Sequence, residues 1–251
     1  LHVFIGYDDR QDLAAKVCRE SILDTASKPI SIYYLKHREL RNIGLFNREW
    51  RITSKGITED AEDQRPFSTQ FAFTRFLVPH YARYLGVRAN DPCIFTDSDF
   101  VYIRDLYSLF NEIDIEDKPL WCVHHDYASP NVIKMDNQVQ VNYNKKLWSS
   151  FMIFNMQNPK CMPSLEEVNT KDGSWLHSFG WLKDEDIGEL HEGWNTIPDH
   201  TEKRIKEWDI RAIHYTEGSP LMKPECKYSE VFNHYLRSVL EEAAKDIKVL
   251  Q

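Results

Sequence analysis

The sequence predicts an α/β protein with a mostly parallel central sheet flanked by helices. Two observations carry that expectation. The chain opens strand, helix, strand: "HVFIG" at 2–6, a helical stripe of Leu13, Val17, Cys18, Ser21 and Ile22, then "ISIYYL" at 30–35. That order is the start of a parallel α/β unit. Further short apolar runs then alternate with helix-period segments rather than pairing as hairpins.

Each later element has its own local reason. Phe73, Phe76, Leu77, His80, Tyr81, Tyr84 and Leu85 recur at i, i+3, i+4, and Gly86 is a C-terminal stop. Pro79 lies inside that stripe and should kink or split the helix, because it lacks a backbone N–H. "CIF" at 93–95 reads as a buried strand, "IRDLYSLF" at 103–110 as a short helix. "PLWCVHH" at 119–125, "WSSFMIFN" at 148–155 and "RAIHYTEG" at 211–218 are strand candidates. The tail from Ser229 shows one stripe of Val231, Phe232, Tyr235, Leu236, Val239 and Leu240 and reads as a helix. Asp12 is expected to cap the first helix, the stretch 41–66 to be polar and irregular, and "TEDAEDQRP" at 58–66 to be a mobile loop. Without repeats or linker-like composition, residues 1–251 are expected to form one domain.

Composition narrows the function classes. The formal net charge of −8 argues against general nucleic-acid binding, which needs basic surface for phosphates. The five cysteines are scattered without a CxxC pair, so neither a disulfide framework nor a structural zinc site is expected. That usage suits a reducing compartment, and a cytoplasmic location is the expectation. No apolar run approaches the ~20 residues of a membrane span, and none reads as a secretory signal.

The chemistry centres on "TDSD" at 96–99. In an extended segment, residues two apart point the same way, about 6.5–7 Å apart along the chain. Asp97 and Asp99 can therefore reach one divalent ion, and hard oxygen ligands suit Mg²⁺ or Mn²⁺. Ligands of open α/β sheets bind beyond the carboxyl ends of the strands, where this pair sits. An isolated Asp-x-Asp is more often an ordinary polar strand end, so the surroundings must decide.

Those surroundings are "FTRFLVP" at 73–79 upstream and "IRDLYSLF" downstream. The order aromatic-x-Arg-[Leu/Phe]-x-x-Pro, apolar strand, Asp-x-Asp, Asp-Leu-x-x-Leu-[Phe/Trp] resembles the core of the family 8 glycosyltransferases. These are retaining, metal-dependent enzymes of the GT-A fold (a Rossmann-like fold), and include glycogenin and bacterial galactosyltransferases. "FIGYDDR", "WSSFMIFN", "DEDIGELHEGWNTIP" and "IHYTEGSP" follow in the family's order, so the resemblance runs from about residue 3 to about residue 224. Three departures mark a divergent branch. Ser149-Ser150 stands for Asn-Ser-Gly, Asp184-Glu185-Asp186 for Asp-Gln-Asp, and the segment from His214 to Gly218 and Lys223-Pro224 is longer than usual.

The resemblance implies a transfer from a nucleotide sugar, a UDP-sugar above all, to a carbohydrate or glycoconjugate acceptor. It makes Asp97, Asp99 and His214 the ligands of Mn²⁺ or Mg²⁺, with Asp97 nearer the nucleotide. It places Ser98, Ser150 and Gly218 along the donor. Arg75 can pair with diphosphate oxygens or with Asp97. Tyr7 can stack on a nucleobase and Asp8 accept from a base N–H, unless both are plain turn residues. Asp186 is the candidate acid beside the donor sugar, with Glu185 or Glu189 as alternatives. Trp194-Asn195 is a candidate acceptor wall. His124, His125, Asp126, Lys134 and Asp136 can line the sugar pocket, although adjacent histidines on a strand face opposite ways. Two other readings stay open: a binding relative without catalysis, and a metal-dependent phosphotransfer enzyme. The second fits poorly, because haloacid-dehalogenase-type enzymes carry their Asp-x-Asp near the first strand.

Overall fold

A computed structural model describes residues 1–54, 57–126, 145–201 and 204–249. Strand β1 (His2–Gly6) leads through α1 (Asp12–Thr25) to β2 (Ser31–Leu35) and α2 (His37–Asn42). The hairpin β3 (Trp50–Ile52) and β4 (Thr58–Asp60) follows, then α3 (Val78–Tyr84), β5 (Cys93–Thr96) and β6 (Phe100–Tyr102). The second half contains β7 (Leu120–Val123), β8 (Phe151–Phe154), α4 (Leu165–Thr170), α5 (Gly173–His177), β9 (Ile187–Leu190), β10 (Ala212–His214) and α6 (Ser229–Val249).

The central sheet runs β2-β1-β5-β8-β7-β9. β1 is parallel to β2 and β5, β7 is parallel to β9, and β8 runs antiparallel to its neighbours β5 and β7. It follows that β8 alone runs against the other strands of the sheet. The mostly parallel expectation holds. Burial explains the unbroken apolar runs. Phe4, Phe95, Cys122 and Met152 face one core, whereas Val3, Ile5, Ile94, Phe151 and Ile153 face the other. With both sheet faces covered, no polar alternation is needed. A third cluster joins α1 and α6 through Ala14, Val17, Phe232 and Tyr235, as the stripe in the tail requires.

Pro79 splits its segment as expected. Thr74–Leu77 form a 3₁₀ turn, and the α-helix starts afresh at Val78 with Pro79 in its first turn. Two expectations are corrected. Gln11, not Asp12, precedes α1, while Asp12 accepts from the Tyr7 hydroxyl and pairs with Lys16. The stretch 41–66 is not simply a loop. Its hairpin is tied down by fully buried Arg48, which donates to Asp60 at 2.6 and 2.7 Å and to the Val168 and Lys171 carbonyls. Charge composition suggested solvent; a bidentate buried ion pair reverses that outcome.

Candidate metal centre and its surroundings

Three backbone connections assemble the site. β5 ends at Thr96, and the Asp97 amide continues the ladder by donating to the Ser150 carbonyl at 2.9 Å. The chain turns at Ser98-Asp99 and enters β6, which pairs antiparallel with β10 so that Phe100 faces His214. The Tyr215 amide then donates to the Asp99 carbonyl at 3.0 Å. Residues 97, 99 and 214, remote in sequence, therefore meet at the C-terminal edge of the parallel strands.

Their ligating atoms all lie within 4.8 Å of one another. His214 Nε2 is 3.4 Å from Asp99 Oδ1 and 4.0 Å from Asp97 Oδ2. The imidazole is 1% exposed and stacks on Phe100 with centroids 4.3 Å apart, so its orientation is set by packing. Hydrogen bonding sets its tautomer. Ser150 donates to the Leu147 carbonyl at 2.5 Å, so its oxygen accepts from Asn195 Nδ2 at 2.9 Å. Asn195 Oδ1 is then the atom that faces His214 Nδ1, at 2.9 Å. Nδ1 carries the proton, and the Nε2 lone pair points at two carboxylates. Three converging electron-rich atoms, an imidazole oriented by an outer carbonyl, and hard oxygen donors form a donor set suited to a divalent cation.

Arg75 is buried and points inward. Its Nη1 lies 2.9 Å from Asp97 Oδ1 and donates to the Ser149 carbonyl at 2.9 Å, and its guanidinium lies near the rings of Phe71 and Phe95. Of the two partners proposed for it, Asp97 is the one it holds. Ser98 donates to Gln11 Oε1 at 2.8 Å, tying the Asp-x-Asp turn to the start of α1. Gly218 takes a φ of +117°, where a side chain is strained. With His214, Glu217 and Lys223, it lines a cavity of about 400 Å³ beside the cluster.

Tyr7 and Asp8 follow β1, whose Ile5 lies opposite Thr96, and so stand at the same sheet edge as Asp97. Asp8 is fully buried, and its oxygens accept from the Arg10 amide and guanidinium and from the Gln70 amide, at 2.8–3.0 Å. Burial alone would raise its pKa, but these donors outweigh burial and lower it. Asp8 anchors the turn after β1. Tyr7 is half-buried, its hydroxyl donated to Asp12, with the Lys36 ammonium 4.9 Å over its ring. Burial and the Asp12 contact push its hydroxyl up to about 12. Trp194 is core, packed near Phe151 with its N–H on Glu112.

Asp186 is not brought to the cluster. Ile187 lies beside Leu120, Leu120 beside Phe154, and Phe154 beside Cys93. Asp186 therefore sits level with the start of β5, whereas Asp97 follows its end. Lys160 holds the Asp186 carboxylate there at 3.1 and 3.3 Å. Glu185 shares that end, and Asp184 pairs with Lys145 at 2.6 Å. Glu189, two residues further up β9, is exposed on the edge strand.

The two histidines after β7 face opposite ways, as alternation requires. His124 stacks on Trp148 with centroids 3.8 Å apart. His125 turns to the other face, beside Asn195 and His214, and is 5% exposed. Burial, with His214 adding to it, holds its imidazole down to about 3. Asp126 is exposed, and Lys134 and Asp136 lie outside the described residues. Two pairings escaped sequence reasoning, Ser98 with Gln11 and Ser149 with His177 Nδ1 at 2.7 Å. Neither has a spacing signal, because both are long-range contacts.

This geometry belongs to a known class of fold. The galactosyltransferase LgtC, solved in complex with donor and acceptor sugar analogs, superimposes with a TM-score of 0.56 at 12% identity. The match spans 95% of this chain and 96% of LgtC. GlyE of Streptococcus pneumoniae gives 0.55 at 15% identity over 94% of this chain and 60% of GlyE. The bifunctional WbbM gives 0.54 at 16% over 94% of this chain, which spans only 49% of WbbM. The fold is the GT-A glycosyltransferase fold. No family model matches the sequence. Protein CDI of Arabidopsis thaliana is 36% identical over 251 residues, covering 97% of this chain and 89% of that protein, and the chain belongs to the Protein CDI family.

Proposed function

We propose that this chain is a single-domain, metal-dependent glycosyltransferase, moving a sugar with retention from a UDP-sugar to a hydroxyl of a carbohydrate or glycoconjugate acceptor. One observation carries the reading. Asp97, Asp99 and the His214 Nε2 lone pair converge within 4.8 Å at the C-terminal edge of a GT-A sheet. Mn²⁺ or Mg²⁺ bound there supplies Lewis-acid stabilisation of the charge that develops on the departing nucleoside diphosphate. Asp99 and His214 present their donor atoms directly. Arg75 takes one Asp97 oxygen and so turns the other towards His214. Asn195 keeps the His214 lone pair on the carboxylate side. The cavity at Gly218 and Lys223 opens next to His214 and suits the donor, with the Gly218 backbone free of a Cβ. Asp186 has no part in this reading, because its strand end is remote.

A second reading, a nucleotide-sugar-binding relative that no longer transfers, is favoured by that remoteness of Asp186 and by Ser149-Ser150. Calorimetric titration of UDP, GDP and UDP-glucose with and without Mn²⁺ tests the metal and donor together. Mn²⁺-dependent binding of UDP is expected, and no Mn²⁺-dependent binding of any nucleotide overturns both readings. Slow hydrolysis of the bound nucleotide sugar separates the enzyme from the non-catalytic relative.

A further inference from the structure

His125 is the least satisfied polar side chain near the metal centre. Its ring is 5% exposed, and among the described residues neither nitrogen has a well-formed hydrogen bond, the Asn195 side chain and backbone carbonyl being its polar neighbours. Asn195 lies beside it, but the Asn195 amide is committed to His214 and Ser150. The ring is not there for packing alone. A sealed imidazole whose nitrogens are at best weakly satisfied opposes folding, whereas an apolar ring of similar size does not. The fold also holds the residue firmly. Trp148 Nε1 donates to the His125 carbonyl at 3.0 Å, and the His125 amide donates to Val123. β7 runs parallel to β5, so His125 follows its strand at the same edge of the sheet as Asp97. Its ring lies near His214.

A group that is buried, weakly satisfied and rigidly placed at a ligand edge fits a partner that arrives with the ligand. A neutral imidazole offers one N–H and one lone pair. A sugar hydroxyl, which both donates and accepts, complements either nitrogen; a phosphate oxygen can only accept and a cation would meet just the lone pair. We infer that His125 is a specificity-determining residue that reads a hydroxyl of a sugar bound at the metal-side edge of the sheet. The inference rests on the glycosyltransferase reading for the class of ligand. The hydroxyl belongs to the donor sugar or to the acceptor sugar, and the chemistry is the same for both.

The test compares wild type with His125→Phe and His125→Gln. Binding of UDP, UDP-glucose, UDP-galactose and UDP-xylose with Mn²⁺ is followed by calorimetry. Donor hydrolysis, transfer to free glucose, galactose and xylose, and thermal melting are also measured. The Phe variant should bind UDP like wild type and melt no lower, since it removes a weakly satisfied group. If the hydroxyl is the donor's, the Phe variant binds the preferred UDP-sugar about tenfold more weakly. If it is the acceptor's, donor binding and hydrolysis stay unchanged and transfer to the free sugar falls about tenfold. The Gln variant, which also donates and accepts, should restore most of either loss. A Phe variant with unchanged binding, hydrolysis and transfer overturns the inference. So does one that melts clearly lower, because His125 would then be a structural residue. Should wild type bind no nucleotide with Mn²⁺, the functional reading fails separately, while the melting comparison still judges His125.

Discussion

Two acid-x-acid triplets in this chain share a spacing and have opposite fates. Asp97-Ser98-Asp99 and Asp184-Glu185-Asp186 both stand at an end of a strand. The first follows β5, at the edge where parallel strands end and crossover connections leave a crevice. There it meets His214 from β10 and Arg75 from the turn before α3. The second precedes β9, at the opposite end of the sheet, where Lys145, Lys160 and Lys183 pair with its acids. A carboxylate pair becomes a candidate site through the strand end it occupies and the remote residues that fold onto it. Local charge density does not decide it.

The largest test of that contrast is a direct exchange of effects. Asp99→Asn should take Mn²⁺-dependent UDP binding below detection in calorimetry, while Asp184→Asn and Asp186→Asn leave it within about twofold, since both acids stand at the opposite end of the sheet. Loss of binding in the Asp186 variant would mean that the two ends of the sheet are coupled.

Next comes stability. Arg75→Ala leaves the Asp97 carboxylate, 14% exposed, beside an emptied buried position. Denaturant unfolding should show a loss of about 3 kcal/mol. Lys160→Ala, which removes an ammonium that is 60% exposed, should hardly change the unfolding midpoint.

A smaller effect is expected at Asn195. Asn195→Ala removes the acceptor that keeps the proton on His214 Nδ1, and Mn²⁺ affinity should fall about 10–100-fold with the fold intact. Unchanged affinity would show that Phe100 stacking alone orients the ring.

The smallest contrast concerns pH. An unfolded histidine binds a proton near 6.5, whereas folded His125 resists protonation down to about 3, first because of burial. Between those values the unfolded state holds more protons, so stability falls as pH falls. The slope for this one group approaches about 1.4 kcal/mol per pH unit once the unfolded ring is fully protonated. His80, His37 and His124 are lowered by burial too and act in the same direction. His125→Phe should flatten the acid limb of a stability–pH curve measured from pH 7 to 4. Asp186→Asn should barely change that limb, because Lys160 lowers the pKa of a carboxylate that already titrates below most of this range.

Much of the fold was legible because its causes are local. Unbroken apolar runs in β1, β5 and β8, the strand–helix–strand opening, Pro79 and the stripe of α6 each act within a few residues of themselves. The Asp97, Asp99 and His214 cluster was legible through motif order. Its tautomer, by contrast, depends on Asn195, Ser150 and Leu147 meeting in space, and the tie from Ser98 to Gln11 spans most of the first half of the chain. Polar residues were read least well. Asp8, Asp60, Trp194 and Asp186 were each placed by what their type usually does. Arg10, Arg48, Glu112 and Lys160 then redirected them.

The sequence alone therefore determined the layered α/β architecture, the two-sided burial of its strands, and the presence of two acids at a strand end. Hydrophobic burial follows a pattern that a linear chain displays directly. Tertiary structure alone decided which acid pair acquires a histidine, which way Arg75 points, and that His125 is buried without a well-formed hydrogen bond. Hydrogen bonds and ion pairs are short-ranged and directional, so their partners exist only once distant segments have been brought into register.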